Sequence, residues 1–162
     1  MKNALIVIDV QNDYFPGGAW PLEGAEEAAA EIVGAVRQAY KEGWMVVGIQ
    51  HVATPDAPFL RPASPGTDIL SDVAGALDGA VVLRKKEADS FYNTGLEELL
   101  RGAGITDIWL TGMMTQHCVT HTALSPQARG MRVHVLAKGC AAPTRELSAL
   151  ALSGLQARCR VK

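Results

Sequence analysis

The chain has 162 residues and a net charge of −2, and 48% of its residues are hydrophobic while 20% are charged. This length and balance are typical of one globular domain with a sizeable core, so we expect a single domain over residues 1–162. The near-neutral charge gives no electrostatic reason to expect binding to nucleic acid or to a membrane surface. No apolar run reaches the length of a membrane helix and no signal peptide precedes the first one, so a cytoplasmic protein is expected.

The chain begins with an almost continuous apolar run, ALIVIDV, at residues 4–10. Such a run is typical of a strand that is buried on both faces, as in a parallel sheet covered by helices. Asp9 lies near the C-terminal end of this strand, which is the edge where ligands bind in open α/β sheets. Taken alone, Asp9 could equally be a helix cap or a turn former. The loop that follows, QNDYFPGG, lacks the GxGxxG spacing of a dinucleotide site.

Strands and helices then alternate along the chain. An alanine-rich helix is predicted at residues 23–42, ending at Gly43, and a second buried strand follows at residues 44–52. His51 lies at the end of this strand, where a lone histidine is more often a structural residue than a ligand, and a metal site would need more ligands. The Pro-rich segment 53–68 is predicted to be a long loop of the kind that often acts as a lid.

The second half of the chain continues this alternation. Strands are predicted at residues 80–84, 108–110, 132–137 and 159–161, and helices at residues 95–101, 118–124 and 147–157. The repeated strand–helix order predicts a Rossmann-like, three-layer, doubly wound α/β fold. We expect a mostly parallel sheet of five to six strands with helices on both faces.

The three cysteines, Cys118, Cys140 and Cys159, are an odd number and include no CxxC pair. Neither a disulfide framework nor a zinc knuckle is therefore expected. A thiol redox function is also disfavoured, because no resolving partner is present.

Cys118 lies where the fourth strand passes into a helix, in the stretch DIWLTGMMTQHCVTHTA. Free N–H groups and the macrodipole at a helix start favour an anion, so a thiol there can have a lowered pKa and act as a nucleophile. The alternative is a small buried hydrophobe, which is the more frequent environment of an isolated cysteine. Asp9, Lys85 and Cys118 all follow the C-terminal ends of strands, and this convergence predicts a site at one edge of the sheet.

Three stretches of the chain resemble the motifs of the isochorismatase-like cysteine hydrolases, a family that includes nicotinamidases and related amidases. The first is DVQNDYFPGG, beginning at Asp9, and the second is Lys85 followed by DSF and TGL at residues 89–91 and 94–96. The third is GMMTQHCV, beginning at Gly112, with Thr122 and Ala123 after it. These motifs occur in the order and at the spacing of the family and extend over most of the chain.

The resemblance implies a Cys–Asp–Lys triad that cleaves a C–N bond in a small amide-like metabolite. Cys118 would attack the carbonyl carbon and form a thioester, while Asp9 would take the thiol proton and later give it to the leaving group. Lys85 would stabilise the charged pair. Lys86 is the competing assignment, but Lys85 matches the family spacing. In a sheet of order 3-2-1-4-5, Lys85 starts two strands from Asp9, a gap of roughly 10 Å that a lysine side chain barely covers.

The resemblance also implies a cis peptide bond between Met113 and Met114. The backbone N–H groups of Met114 and Cys118 would then form the oxyanion hole. The candidates for substrate-binding side chains are Tyr14, Phe15 and His117.

The sequence departs from the family pattern in its C-terminal half. Ser125-Pro126 stands where the family usually carries an acidic residue, Lys138-Gly139-Cys140 stands in place of an Asp-Ala pair, and the segment after it is short. The zinc-binding Asp/His cluster of the nicotinamidases is not visible, which argues against nicotinamide as substrate and predicts no metal and no cofactor. Cys118 argues against isochorismate, because true isochorismatases work without the cysteine.

Two functions from different classes remain open at this stage. The first is the cysteine hydrolase, acting on a small-molecule substrate as a homo-oligomer, most simply a two-fold dimer. The second is a catalytically silent family member that serves as a binding or assembly subunit, which the unusual C-terminal half suggests.

Overall fold

The computed structural model describes the whole chain, Met1–Lys162, and contains one sheet of six strands in the order β3-β2-β1-β4-β5-β6. All five strand pairs are parallel. The strands are β1 (Asn3–Ile8), β2 (Met45–His51), β3 (Val81–Lys85), β4 (Asp107–Met113), β5 (Arg132–Ala141) and β6 (Arg160–Val161). The predicted doubly wound α/β fold is therefore confirmed, and the observed strand order contains the order 3-2-1-4-5 that was considered for Lys85.

Five helices connect the strands. They are α1 (Ala25–Lys41), α2 (Ser71–Ala76), α3 (Leu96–Gly102), α4 (Thr120–Ala123) and α5 (Arg145–Leu155). None of them is both long enough and apolar enough to span a bilayer.

Two hydrophobic cores lie on opposite faces of the sheet, and the central strand β1 contributes to both. Leu5 and Val7 pack in the core that contains α1 and α2, whereas Ile6 and Ile8 pack in the core that contains α3, α4 and α5. Successive side chains of a strand point to opposite faces, so a strand between two cores has to be apolar at every position. This explains why the ALIVI part of the first apolar run shows no polar alternation.

Several elements differ from the sequence prediction, and β4, for example, continues to Met113 rather than ending at residue 110. β5 continues to Ala141 rather than ending at residue 137, because a register shift against β4 lets Lys138-Gly139-Cys140 remain in the sheet. The short helix α2 was not predicted, since its sequence SDVAGA includes residues of low helix propensity. The helix around Cys118 begins earlier than expected, as a π-helical turn at Thr115–Val119 that continues into α4.

The segment 53–68 contains no strand and only a 3₁₀ turn at Pro65–Thr67. It is nevertheless tied to the first motif. The Leu60 N–H donates to Asp13 Oδ2 at 2.7 Å, and the Asn12 N–H donates to the Asp68 carbonyl at 2.9 Å. Leu60 is buried, so part of this loop packs in the hydrophobic core that contains α1 and α2.

Gly112 allows β4 to pass very close to β1. Its φ is +129°, and a Cβ at this position would collide with the carbonyl group of Ile8. Only glycine combines this backbone conformation with the absence of a side chain. The close approach lies one residue before the Met113–Met114 peptide, where the chain leaves the sheet towards Cys118.

We predict that Gly112→Ala destabilises the protein by about 4 kcal/mol, because a strained backbone and an overpacked contact each cost about 1–3 kcal/mol. The matched control is Gly130→Ala, since Gly130 also has a positive φ of +91° but has open space where a Cβ would be. For this control, we expect a loss of about 1–2 kcal/mol from the backbone alone. Urea unfolding midpoints at constant m-value measure both losses. Equal losses for the two variants would contradict the close-approach account.

Candidate active site

Asp9 follows the last residue of β1 and is completely buried. Its φ of +51° lies in the left-handed region, which costs a non-glycine residue free energy and which occurs most often at functional sites. Its N–H donates to the Ile49 carbonyl at 3.0 Å, so the turn is anchored to β2. Its Oδ1 is buried without a fixed hydrogen-bond donor.

Lys85 reaches Asp9 across the intervening strand β2. Lys85 Nζ lies 2.7 Å from Asp9 Oδ2 and 3.2 Å from Cys118 Sγ. It also donates to the Glu87 carbonyl and to His51 Nδ1, both at 2.9 Å. The two-strand gap that the sequence left unexplained is therefore covered by the lysine side chain, which passes its in-register neighbour His51 on β2.

The ammonium of Lys85 is charged despite its burial. Burial by itself lowers the pKa of Lys85, but the charge of Asp9 and the hydrogen bonds to Asp9 and Cys118 outweigh this effect and raise the pKa overall. Lys86, the competing assignment, is exposed at the surface. The structure thus brings Lys85, and not Lys86, into contact with Asp9 and Cys118.

Cys118 lies in the π-helical turn that follows β4, and only 3% of its surface is exposed. Burial raises the pKa of the Cys118 thiol, and the charge of Asp9 raises it further, although Lys85 acts in the opposite direction. The expectation of a lowered thiol pKa at a helix start is therefore wrong. The reason is that desolvation and the neighbouring carboxylate outweigh the helix terminus.

The backbone before Cys118 leaves an N–H group free. The Met113–Met114 peptide bond is cis, which confirms the bond implied by the sequence resemblance. The N–H of Met114 donates to no protein acceptor, and the N–H of Cys118 donates to none outside its own helical turn. The N–H of Met114 is therefore open to a ligand atom, and the assignment of Met114 and Cys118 as an oxyanion hole remains a prediction.

Gln11 supports the end of β2, and its sequence position alone predicted only a loop residue. It is fully buried, and its Oε1 accepts from the His51 N–H at 2.9 Å while its Nε2 donates to the His51 and Thr67 carbonyls at 2.8 and 2.7 Å. The side chain thus fixes the end of β2 next to Lys85. Its place two residues after Asp9 in the first motif was the signal that could have identified it.

A second buried pair joins the loop after Lys85 to the helix after Cys118. Thr122 Oγ1 accepts from the Ser90 N–H at 3.0 Å and donates to Ser90 Oγ at 2.8 Å. Buried hydrogen bonds therefore fix a residue of the second motif to a residue of the third motif.

The three substrate-binding candidates differ in their burial and in their distance from Cys118. Tyr14 is buried, and its pKa is raised by burial and by the charge of Asp9, so its hydroxyl stays protonated. His117 is exposed, with Nδ1 at 3.5 Å from Cys118 Sγ. Phe15 packs in the core with α1 and borders a groove that contains no triad residue. Tyr14 and His117 thus lie near the thiol.

A cleft of about 410 Å³ shares Lys85 with the triad. Its lining residues are mostly polar, namely Val52, Arg84, Lys85, Lys86, Glu87, Tyr92 and Asn93. Cys118 does not line it, so the cleft lies on the β3 side of the ammonium. Neither Tyr14 nor His117 belongs to it.

One group of side chains has the composition of a metal site. Asp9, His51 and Cys118 each offer one ligand atom, and these atoms lie within 4.8 Å of one another. The Lys85 ammonium, however, lies within 3.2 Å of all three and takes the place that a cation would need. The residues therefore do not fit a metal ion while Lys85 is in place.

We predict that Lys85→Met lowers the free energy of unfolding by about 3–5 kcal/mol, because it leaves the buried Asp9 carboxylate without its counter-charge. Lys86→Met is the matched control, and its exposed position predicts a change of no more than about 0.5 kcal/mol. Urea unfolding of both variants checks this difference. A larger loss for Lys86→Met would support the competing assignment.

Comparison with known proteins identifies relatives over almost the whole chain. The isochorismatase domain model matches residues 3–161. The isochorismatase family protein YddQ of Bacillus subtilis is 32% identical over 148 residues, which cover 91% of this chain and 82% of YddQ. A streptothricin hydrolase of Streptomyces noursei is 35% identical over 130 residues, which cover 80% of this chain but only 46% of the hydrolase.

Solved structures agree with these sequence matches. A protein of Oleispira antarctica assigned to the isochorismatase hydrolases has a TM-score of 0.91 and 32% identity, over 99% of this chain and 92% of its own. Nicotinamidase PncA from Bacillus subtilis has a TM-score of 0.88 and 26% identity, over 96% of this chain and 95% of its own. The chain therefore belongs to the isochorismatase family.

Proposed function

We propose that this protein is a metal-independent cysteine hydrolase that cleaves a C–N bond of a small amide-like molecule through a thioester on Cys118. The observation that carries the proposal is the buried contact of Lys85 Nζ with both Asp9 Oδ2 and Cys118 Sγ. A thiol, a carboxylate and an ammonium at the C-terminal edge of a parallel sheet are the groups that nucleophilic acyl transfer requires. The relatives named streptothricin hydrolase and nicotinamidase support hydrolysis of a carbon–nitrogen bond.

The first step is transfer of the thiol proton to Asp9. The raised pKa of Cys118 keeps the thiol protonated at rest, so the proton has to leave as the sulfur attacks. Asp9 Oδ1 has no fixed donor and is therefore free to accept it. After the transfer, Asp9 is neutral and the developing thiolate faces the Lys85 ammonium, so the buried site keeps the same net charge.

The thiolate then forms a C–S bond with the carbonyl carbon, and the carbonyl π electrons move onto oxygen. The N–H groups of Met114 and Cys118 donate to this oxygen. When the tetrahedral intermediate collapses, the C–N bond breaks and the leaving amine takes the proton held by Asp9. The acyl group remains on Cys118 as a thioester.

Water completes the cycle. Asp9, ionised again, takes a proton from a water molecule that attacks the thioester carbon. The C–S bond then breaks, the carboxylic acid product leaves, and Asp9 returns its proton to the Cys118 sulfur. The Lys85 ammonium stabilises the thiolate each time it forms, which is why its own pKa has to remain high.

The catalytically silent subunit is the alternative proposal. One of the C-terminal departures that suggested it, Lys138-Gly139-Cys140, is accommodated within β5. Thr111 Oγ1 donates to the Gly139 carbonyl at 2.8 Å and ties this stretch to β4. These contacts favour the hydrolase. The cytoplasmic location and the homo-oligomer remain predictions.

We predict that Cys118→Ala lowers turnover by at least about 10⁴-fold, because no other group can form the thioester. Cys140→Ala is the matched control, since Cys140 lies in β5 and contacts the Leu136 carbonyl rather than the triad. Intact-protein mass spectrometry after brief incubation with a panel of small amides provides the second measurement. We expect an added acyl mass in the wild type and in Cys140→Ala, and none in Cys118→Ala.

Two outcomes would count against the hydrolase. Turnover that persists in Cys118→Ala would exclude Cys118 as the nucleophile. Neither turnover nor an adduct with any amide of the panel would favour the silent subunit.

We also predict that activity survives EDTA, because an ammonium already occupies the centre of the Asp9, His51 and Cys118 group. The measurement is turnover of the same amide before and after dialysis against the chelator, with metal content checked by elemental analysis. Activity that disappears in EDTA and returns with zinc would contradict metal independence and would make His51 a ligand.

A further inference from the structure

We propose that His51 is a positioning residue of this site. Its Nδ1 accepts a hydrogen bond from Lys85 and holds the ammonium above β2, where it can contact both Asp9 and Cys118. The inference rests on the proposed cysteine chemistry and deepens it. It assigns a role to a residue that sequence reasoning would leave as structural.

The strand order places His51 between Lys85 and Asp9. Lys85 ends β3 and Asp9 follows β1, so β2 lies between them and the gap is roughly 10 Å. His51 is the last residue of β2 and pairs in register with Lys85. Its Nδ1 lies 2.9 Å from Lys85 Nζ, and His51 therefore contacts the lysine between β3 and β1.

His51 is itself held in place. The Gln11 side chain binds both its N–H and its carbonyl, so the end of β2 cannot shift relative to Asp9. An ammonium can only donate, so the imidazole nitrogen that faces it has to be an acceptor and the ring proton has to lie on Nε2.

The charged groups around His51 favour this neutral form. Burial lowers the pKa of His51, and the charges of Lys85 and His117 lower it further, whereas Asp9 and Glu87 raise it. The net shift is downward, so the imidazole keeps its Nδ1 lone pair near neutral pH.

Four acceptors surround the Lys85 ammonium, and His51 is the one that lies on β2, between the strand of Lys85 and the strand of Asp9. The distances from Lys85 Nζ are 2.7 Å to Asp9, 2.9 Å to both Glu87 and His51, and 3.2 Å to Cys118. The sulfur is the most distant of the four, and Asp9 is the one partner that carries an opposite charge. Without the His51 acceptor, we expect the ammonium to settle against Asp9 and to lose its contact with the sulfur.

The test compares His51→Phe with His51→Asn. Phenylalanine fills the space of the imidazole but cannot accept, whereas the amide oxygen of asparagine can occupy a position close to that of Nδ1. His121→Phe is the matched control, because His121 lies in the same helical region as Cys118 but its Nδ1 contacts the His117 carbonyl rather than Lys85.

The probe is p-nitrophenyl acetate. Its acetyl carbon forms a C–S bond with Cys118, and p-nitrophenolate departs without needing a proton, so the absorbance burst reports activation of the thiol alone. Cys118→Ala gives the background rate. We expect the burst rate to fall by about 10- to 100-fold in His51→Phe, which is the effect of losing one hydrogen bond to a charged group. We expect His51→Asn to recover most of it and His121→Phe to match the wild type.

A burst in His51→Phe as fast as or faster than that of the wild type would overturn the positioning role while leaving the nucleophile intact. A wild-type protein no faster than Cys118→Ala would instead overturn the proposed function. Rates are compared only for variants whose urea unfolding midpoint shows that they are folded at the assay temperature.

A second measurement reads the protonation of His51 in the wild-type protein. Histidine ¹⁵N NMR of the wild type at pH 7.5 is expected to show His51 neutral, with Nδ1 unprotonated and Nε2 protonated. The signal is assigned by its absence from His51→Asn. A His51 ring protonated on Nδ1 could not accept from Lys85 and would overturn the proposal.

Discussion

The buried ammonium of Lys85 is the interaction on which the rest of the site depends. A charge with no exposed surface is very costly unless it is paired and hydrogen-bonded. Here Asp9 supplies the opposite charge, and the His51 Nδ1 and the Glu87 carbonyl accept further hydrogen bonds from the ammonium. Removing any one partner leaves the others with an uncompensated charge or donor, so these side chains form a single unit. Their geometry is therefore fixed more strictly than that of a surface ion pair.

In the proposed mechanism, the same unit explains how a thiol with a raised pKa can act as the nucleophile. A thiol that is neutral at rest avoids adding a second negative charge beside Asp9, and a sulfur of higher pKa is intrinsically more nucleophilic once its proton has left. The site therefore favours proton transfer at the moment of attack over a thiolate that is formed in advance. The turn between β4 and the helix of Cys118 therefore leaves the Met114 N–H free but does not lower the pKa of the thiol.

The fold brings these groups together at the point where the strand order reverses. β1 and β4 are adjacent in the sheet although two further strands separate them in the chain, so the residues after them, Asp9 and Cys118, meet at one edge. Gln11 fixes the neighbouring end of β2, and the Ser90–Thr122 pair fixes the two outer segments to each other. The scaffold thus brings Asp9, Lys85 and Cys118 together from three strand ends.

The sequence by itself determined the class of fold, because local apolar runs and alternating helices carry that information. It also identified Asp9, Lys85 and Cys118 as candidates, since their place after strand ends depends only on local pattern. Only the tertiary structure decided how Lys85 crosses β2, that His51 supports it, and that the thiol is neutral at rest. These features depend on contacts between residues that lie far apart in the chain and on the loss of water around them. Burial and cross-strand distance are set by packing, and no local stretch of sequence encodes them.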